Sequence, residues 1–596
     1  MTKHSTPNPT LDSEANLGRR NFLKASTAAV AAPMLLTSRK GGAQVIDPVI
    51  PPSPPTTPWR EELPNEIAPL QSVNLLSPDP SRAANTASGE CGRADHQRWA
   101  EFLGGQAPVS DRADLYELRA REYTDWVFHP DYPAQRIWGF EGNTADGPVL
   151  NPTIFARYGR PVICRLFNEL PVDHVGFGTP EVSMHLHNLH APSESDGFPG
   201  DYFSPTKAGP TLGGPGSFKD HFYPNVYAGL DEYGGIGDPR QALGTLWYHD
   251  HTLDFTAPNA SRGLAGFYLL FDHIDSGDEH DRTPGALRLP SHPYDYPLMF
   301  QDKRFEADGV QFYDQMNPEG TLGDKITVNG KIEPVLRVAN RRYRLRLLNA
   351  GPTRFYDFYL VAPGQGVQPF RYIANDGNLL PASIVMKHIR LGMAERADIV
   401  VNFGRYPVGT VLYLVNRQNQ DDTRGPADVQ APGTRVLKII VDRTAPDTSR
   451  VPSALRPLPP LDPLEIEAAP VRRWEFARKS GMWTVNDRLI DVTSPRAEIV
   501  KGTAEVWELV NPSGGWVHPI HIHFEEGRIL SKTVDGIDVP VPVHEQGRKD
   551  VFVLDKTTTM RVFLRFRDFT GKYVMHCHNL PHEDHAMMVR FDVTEA

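Results

Sequence analysis

Cysteine is scarce: Cys91, Cys164 and Cys577 are the only three in 596 residues, which excludes a scaffold held together by disulfides. Cys164, in the apolar run Pro161-Val162-Ile163-Cys164, reads as a small buried residue. A Cys91–Cys164 bond stays open as an alternative in an oxidising compartment. No long Lys/Arg block is present and the formal net charge is -11, so nucleic acid is excluded as a partner. Long apolar runs are also lacking. The longest, Ala25 to Leu36, falls short of the about eighteen residues that cross a bilayer, so the mature chain is expected to carry no integral membrane segment.

That short run has the layout of a cleaved leader. Arg19 and Arg20 precede Phe22-Leu23-Lys24, the apolar stretch follows, and Gly41-Gly42-Ala43 offers small residues for cleavage before Gln44. The paired arginines resemble a twin-arginine export signal. Residues 1–43 are therefore expected to be a signal, and the protein periplasmic or extracellular.

What is plentiful is Pro (55) and Gly (49), which suits many short strands joined by turns and predicts an all-β fold. Hydrophobic residues, at 40%, suffice for a large core. Residues 44–112, rich in Pro, Ser and Asn, read as an extended arm that wraps the first domain or stays partly mobile. Three β-rich stretches follow, at 113–280, 281–450 and 464–596, with the Pro-rich stretch 451–463 as a linker before the last. Their similar size predicts three sandwich domains. Within the first, the Gly/Pro-rich stretch 197–244 is expected to be a surface loop. In the second, Asn329-Gly330 predicts a tight hairpin turn. Arg344 and Arg346 alternate with apolar residues there and are expected on a solvated strand face, an anion site being the alternative.

Ten of the 22 histidines fall in four short windows: His185-Leu186-His187, His249-Asp250-His251, His518-Pro519-Ile520-His521-Ile522-His523, and His576-Cys577-His578 with His582. Chance would supply about one His-x-His pair in such a chain, so any one window says little and four together say much. On a strand, residues i and i+2 share a face, so each pair presents two imidazoles side by side. Eight such nitrogens suit a cluster of three metal ions. Imidazole binds copper, zinc, iron and nickel alike, so histidine count does not name the metal. The last window narrows the choice. In His576-Cys577-His578 the thiolate faces away from the imidazoles, and His518, His582 and Met587 complete the two-histidine, cysteine and methionine set of blue-copper sites.

The runs Leu246-Trp247-Tyr248-His249-Asp250-His251 and His576-Cys577-His578-Asn579-Leu580-Pro581-His582-Glu583-Asp584-His585-Ala586-Met587-Met588 resemble those of three-domain multicopper oxidases, and the likeness extends over roughly residues 113–596. Within the family they are most similar to bacterial spore-coat laccases, bilirubin oxidases and phenoxazinone synthases. The resemblance implies three cupredoxin-like Greek-key β-sandwich domains and four coppers per chain. It implies one-electron oxidation of a small organic reductant or metal ion, coupled to four-electron reduction of dioxygen to water. By position, His518, Cys577 and His582 would hold the type 1 copper, with Met587 axial. His185 and His521 would hold the type 2 copper, and His187, His249, His251, His523, His576 and His578 the type 3 pair. Asp196 and Glu583 match carboxylates assigned to proton delivery, the alternative being hydrogen bonds that orient histidines.

The first window reads His-Leu-His-Asn where the family commonly has His-Trp-His-Gly, and the loop after it is longer than in the spore-coat enzyme. His190 and His585 fit no ligand position and are expected to be exposed or hydrogen-bonded; Met588 is expected to be core packing. A copper-free cell-division relative would lack ligands, and none is missing. The 12 methionines are scattered, against a Cu(I) oxidase. Glu525, Glu526 and Asp584 leave Mn(II) or Fe(II) open. Phenols, aminophenols and bilirubin-like pigments are the favoured reductants.

Overall fold

A computed structural model describes residues 51–63 and 68–596; the expected signal at 1–43 lies outside the described residues. The β-type runs pair into six sheets, two in each of three successive stretches. The first stretch forms a five-stranded and a four-stranded sheet, the second an eight- and a six-stranded sheet, the third a seven- and a five-stranded sheet. One topological feature recurs in all three: each sheet contains one parallel pair joining strands that are not consecutive. In the first these are Asp114–Trp126 with Val162–Asn168 and Ile154–Arg157 with Ala265–Phe271. In the third they are Val471–Lys479 with Thr503–Asn511 and Ala497–Val500 with Met588–Thr594. A strand that leaves its neighbour and returns beside an earlier one is the Greek-key connection. The sheets of each stretch face one another across a core, as Leu118, Trp138, Leu166, Tyr248 and Tyr268 do in the first. The architecture is thus three cupredoxin-like β-sandwiches.

The elements that matter for the site are β1 (Met184–His187), β2 (Phe218–Tyr223), β3 (Thr245–Asp250), α1 (Thr256–Arg262), β4 (Arg342–Asn349), β5 (Arg396–Asn402), β6 (His518–Ile522), β7 (Gly571–Cys577) and α2 (Leu580–Asp584). The Asn329-Gly330 turn forms as expected, with φ of 48° and 79° between paired strands; both residue types tolerate this left-handed geometry. Residues of the arm bridge to all three sandwiches, at Val73 with Leu115, at Glu62 with Val335, and through Gln97 Nε2, which donates to the Thr570 carbonyl at 2.9 Å. Cys91 and Cys164 are separate, buried thiols, and burial pushes Cys91 up to about 12.

Two expectations are corrected. The stretch 197–244 is not simply a surface loop: it contributes β2, which pairs with Val162–Asn168, and the segments 197–201, 224–230 and 241–244 are buried. Charged residues in β2 masked it, and they are satisfied inside, Asp220 accepting from Arg165 at 2.7 and 2.8 Å. Arg344 and Arg346 are not solvated either. Both are at most 1% exposed, because their face of β4 packs against the first sandwich. Arg344 pairs with Asp398 at 2.6 Å and Asp275 at 2.7 Å, and Arg346 with Asp295 at 2.6 Å. Removing one member of such a pair strands a buried charge. Arg344→Met is therefore expected to lower unfolding free energy by about 3–5 kcal/mol, measured by denaturant titration; a loss below about 1 kcal/mol would place the pair in solvent-like surroundings.

Candidate metal centres

Two strand pairs bring the histidine windows together. β1 lies antiparallel to β3 with His185 opposite His249, and β6 lies antiparallel to β7 with His521 opposite His576. Each window holds alternate side chains on one face, so the four pairs meet between the first and third sandwiches. All ten window histidines, Cys577 and Met587 are at most 1% exposed.

The ring nitrogens then sort themselves. Seven histidines turn Nδ1 to an oxygen. His187 meets Asp550 Oδ2 at 2.7 Å, His523 meets Asp196 Oδ2 at 2.7 Å, and His576 meets Glu583 Oε2 at 2.8 Å. His251 lies 3.3 Å from Glu583 Oε1. His249 and His521 donate to the carbonyls of Asp250 and Asp550 at 2.7 and 3.0 Å, and His185 donates to the Asp196 carbonyl. An Nδ1 that donates carries the proton, which leaves the lone pair on Nε2. Those Nε2 atoms converge: His251 to His523 at 3.2 Å, His251 to His576 at 3.1 Å, His523 to His576 at 3.2 Å, and His185 to His521 at 3.4 Å. His578 completes the group, its ring 5.2 and 5.5 Å from those of His187 and His249.

Burial holds these rings neutral. It depresses His249 to about 3 and His185, His187, His251, His521, His523 and His578 well below the usual imidazole range. Neutral nitrogens aimed at one another with no proton between them repel, and a shared cation removes that repulsion. The donor set fits metal ions of the imidazole-binding class.

On the other face of β7 a different set forms. Cys577 Sγ lies 3.5 Å from His518 Nδ1 and 3.7 Å from His582 Nδ1, and the two nitrogens are 3.2 Å apart. Met587 packs in the same core and its carbonyl accepts from the Cys577 N–H at 3.1 Å. A soft sulfur with two imidazoles fits copper. His582 is wholly buried beneath tryptophans: Trp483 stacks on it at 3.7 Å between ring centroids, and Trp516 lies at 5.2 Å.

The structure brings every metal-site residue expected from the sequence into one of these two groups, with Asp196 and Glu583 against the larger. Burial pushes the Asp196 carboxyl well above the ordinary range. His190 is buried and hydrogen-bonded to Asp568 at 2.8 Å, His585 bonds the Pro581 carbonyl at 2.8 Å, and Met588 packs against Phe198 and Val574. Glu525, Glu526 and Asp584 are not free to receive a metal ion. Glu525 pairs with Arg567 at 3.0 Å, Glu526 with Arg548, and Asp584 caps α1 by accepting from the Thr256 and Ala257 N–H groups at 2.9 Å. Asp550 and Trp483 were missed. Nothing local marks either, since both act on residues distant in sequence.

Comparison with known proteins agrees with this geometry. The multicopper oxidase family model matches residues 457–596. Bilirubin oxidase of Albifimbria verrucaria is 33% identical over 488 residues, covering 80% of this chain and 76% of that protein. Laccase of Bacillus subtilis is 30% identical over 531 residues, covering 82% and 95%. The McoA multicopper oxidase of Aquifex aeolicus superimposes with a TM-score of 0.64 at 25% identity, covering 81% of this chain and 96% of that one. With a histidine cluster and a cysteine–histidine site back to back on one strand, and with relatives of this identity along four-fifths of its length, the chain belongs to the multicopper oxidases, oxidoreductases that pass electrons from a reductant to oxygen.

Proposed function

We propose that this oxidase acts on electron-rich aromatic molecules (phenols, aminophenols or bilirubin-like pigments) with four coppers per chain. His518, Cys577, His582 and Met587 would hold the type 1 copper, His185 and His521 the type 2, and His187, His249, His251, His523, His576 and His578 the type 3 pair. Copper so bound supplies four one-electron centres, enough to take dioxygen to water without releasing a partly reduced product.

The observation that carries the reading is the alternation on β7. Cys577 faces one donor set while His576, beside it in the chain, faces the other, so a few covalent bonds join the two. The chain's residues divide the remaining work. The buried histidines exclude water and aim their Nε2 atoms. Glu583 Oε2 lies 2.8 Å from His576 Nδ1, and Asp196 Oδ2 accepts from His523 Nδ1 at 2.7 Å. Asp196 Oδ1 and both Glu583 carboxylate oxygens make no hydrogen bond, which supports a role for each in holding a proton for oxygen reduction.

The aromatic preference is supported by the likeness to a bilirubin oxidase and to laccases, and by the carboxylates Glu525, Glu526 and Asp584, which a metal ion would need and which are paired or capping a helix. We further propose export through a twin-arginine signal at 1–43 to the periplasm or exterior, and sandwich bounds of 113–280, 281–450 and 464–596. The test is steady-state turnover of copper-loaded protein on a phenol, an aminophenol, bilirubin, Cu(I) and Mn(II) side by side. Organic turnover is expected to dominate; saturable metal-ion oxidation with negligible organic turnover would overturn the preference.

A further inference from the structure

The middle sandwich supplies none of the clustered histidines, yet it reaches them. Arg396, on β5, is fully buried. Its Nη1 donates to Asp550 Oδ1 and Oδ2 at 2.9 and 3.1 Å and to the Ala394 carbonyl at 3.0 Å, while Nη2 donates to the Asp376 carbonyl at 3.0 Å. Asp550 passes that constraint on in two directions. Its Oδ2 lies 2.7 Å from His187 Nδ1, and its backbone carbonyl accepts from His521 Nδ1 at 3.0 Å. These two rings, from different sandwiches, stack 3.6 Å apart at 19°.

A second tie runs alongside. Asp376 sits in a tight turn at φ 46°. Its carboxylate accepts from the Arg396 N–H at 3.0 Å and pairs with Lys549 at 3.1 Å, and its carbonyl accepts from Asn188, next to His187, at 2.8 Å.

We propose that Arg396 is a positioning residue for the oxygen-reducing cluster, setting the orientation of His187 and His521 through Asp550, so that the copper-free middle sandwich governs the geometry of a site built by the other two. The inference rests on the ligand reading above. Arginine is required because its planar fork grips the carboxylate and two fixed carbonyls at once, which a lysine point charge cannot do. Groups that orient a ligand imidazole through its other nitrogen tune both metal affinity and ligand direction. A purely structural role would make Arg396 equivalent to Arg344, which is as deeply buried and as well paired but touches no clustered histidine.

The test compares copper-loaded full-length Arg396→Lys, Asp550→Asn and Arg344→Lys by copper content, the type 2 EPR signal, blue absorption and thermal unfolding. Arg396→Lys and Asp550→Asn are expected to keep the blue absorption, to shift the type 2 hyperfine pattern, and to lose about 10–100-fold in cluster copper affinity or oxygen turnover. Arg344→Lys is expected to unfold at lower temperature with a wild-type EPR signal. Wild-type EPR and full copper in Arg396→Lys and Asp550→Asn would overturn the proposal, and Asp550→Asn decides alone if Arg396→Lys does not accumulate. A wild-type protein that itself shows no type 2 signal would instead overturn the ligand reading beneath it.

Discussion

Cys577→Ser is expected to abolish the intense blue absorption of the copper-loaded protein, together with its oxidation of every reductant, and to leave one copper fewer per chain. The sulfur is the thiolate donor that faces His518 and His582 at 3.5 and 3.7 Å, and a serine oxygen is a hard donor that does not replace it. Burial raises the Cys577 thiol, so the sulfur gives up its proton only to a bound cation. The other centre should persist, because His576 and His578 point to the opposite face of β7 and their neighbours across β6 and β1 are untouched. Unfolding of the copper-free form should change by no more than the cost of one unpartnered buried hydroxyl, about 1–3 kcal/mol. Metal analysis, absorption and EPR on one preparation check all of this. Retained blue colour or normal turnover would remove Cys577 from the electron path.

How much of this could be read beforehand follows from how local each signal is. The donor residues were legible because their chemistry is written at a spacing of two, and a strand converts that spacing into a shared face whatever surrounds it. The Asn329-Gly330 turn was legible for the same reason, since its geometry is set by two adjacent residues. Arg344 and Arg346 were misread because alternation reports that one face differs from the other, not whether the polar face meets water. Here it meets Asp295 and Asp398 on the two strands that pair with β4, and Asp275 outside them. β2 was hidden by the same effect, its Asp220 being matched by Arg165 on the neighbouring strand. Asp550, Arg396 and Trp483 carry no local signature. Each matters only through a partner brought near by the packing of different sandwiches or loops, and periodicity holds no information about that.

Glu583→Gln should separate proton delivery from histidine orientation, the two roles its position allows. Glu583 is buried with Oε2 at 2.8 Å from His576 Nδ1 and Oε1 at 3.3 Å from His251 Nδ1. Its helix is held independently of its side chain, since the adjacent Asp584 caps α1 and the Leu580 N–H bonds the Pro352 carbonyl at 3.1 Å. The substitution therefore keeps shape and one acceptor oxygen in place while removing the capacity to carry a proton. If Glu583 delivers protons, anaerobic reduction of the blue centre by substrate keeps its rate, copper content is unchanged, and reoxidation by dioxygen slows by about 10²–10⁴-fold. If it chiefly orients imidazoles, the amide nitrogen now facing one Nδ1 leaves that ring without an acceptor, and copper is lost from the cluster along with activity. Stopped-flow reoxidation with metal analysis on the same sample distinguishes the two, because only proton delivery predicts a fully loaded, normally blue enzyme that is slow with oxygen alone.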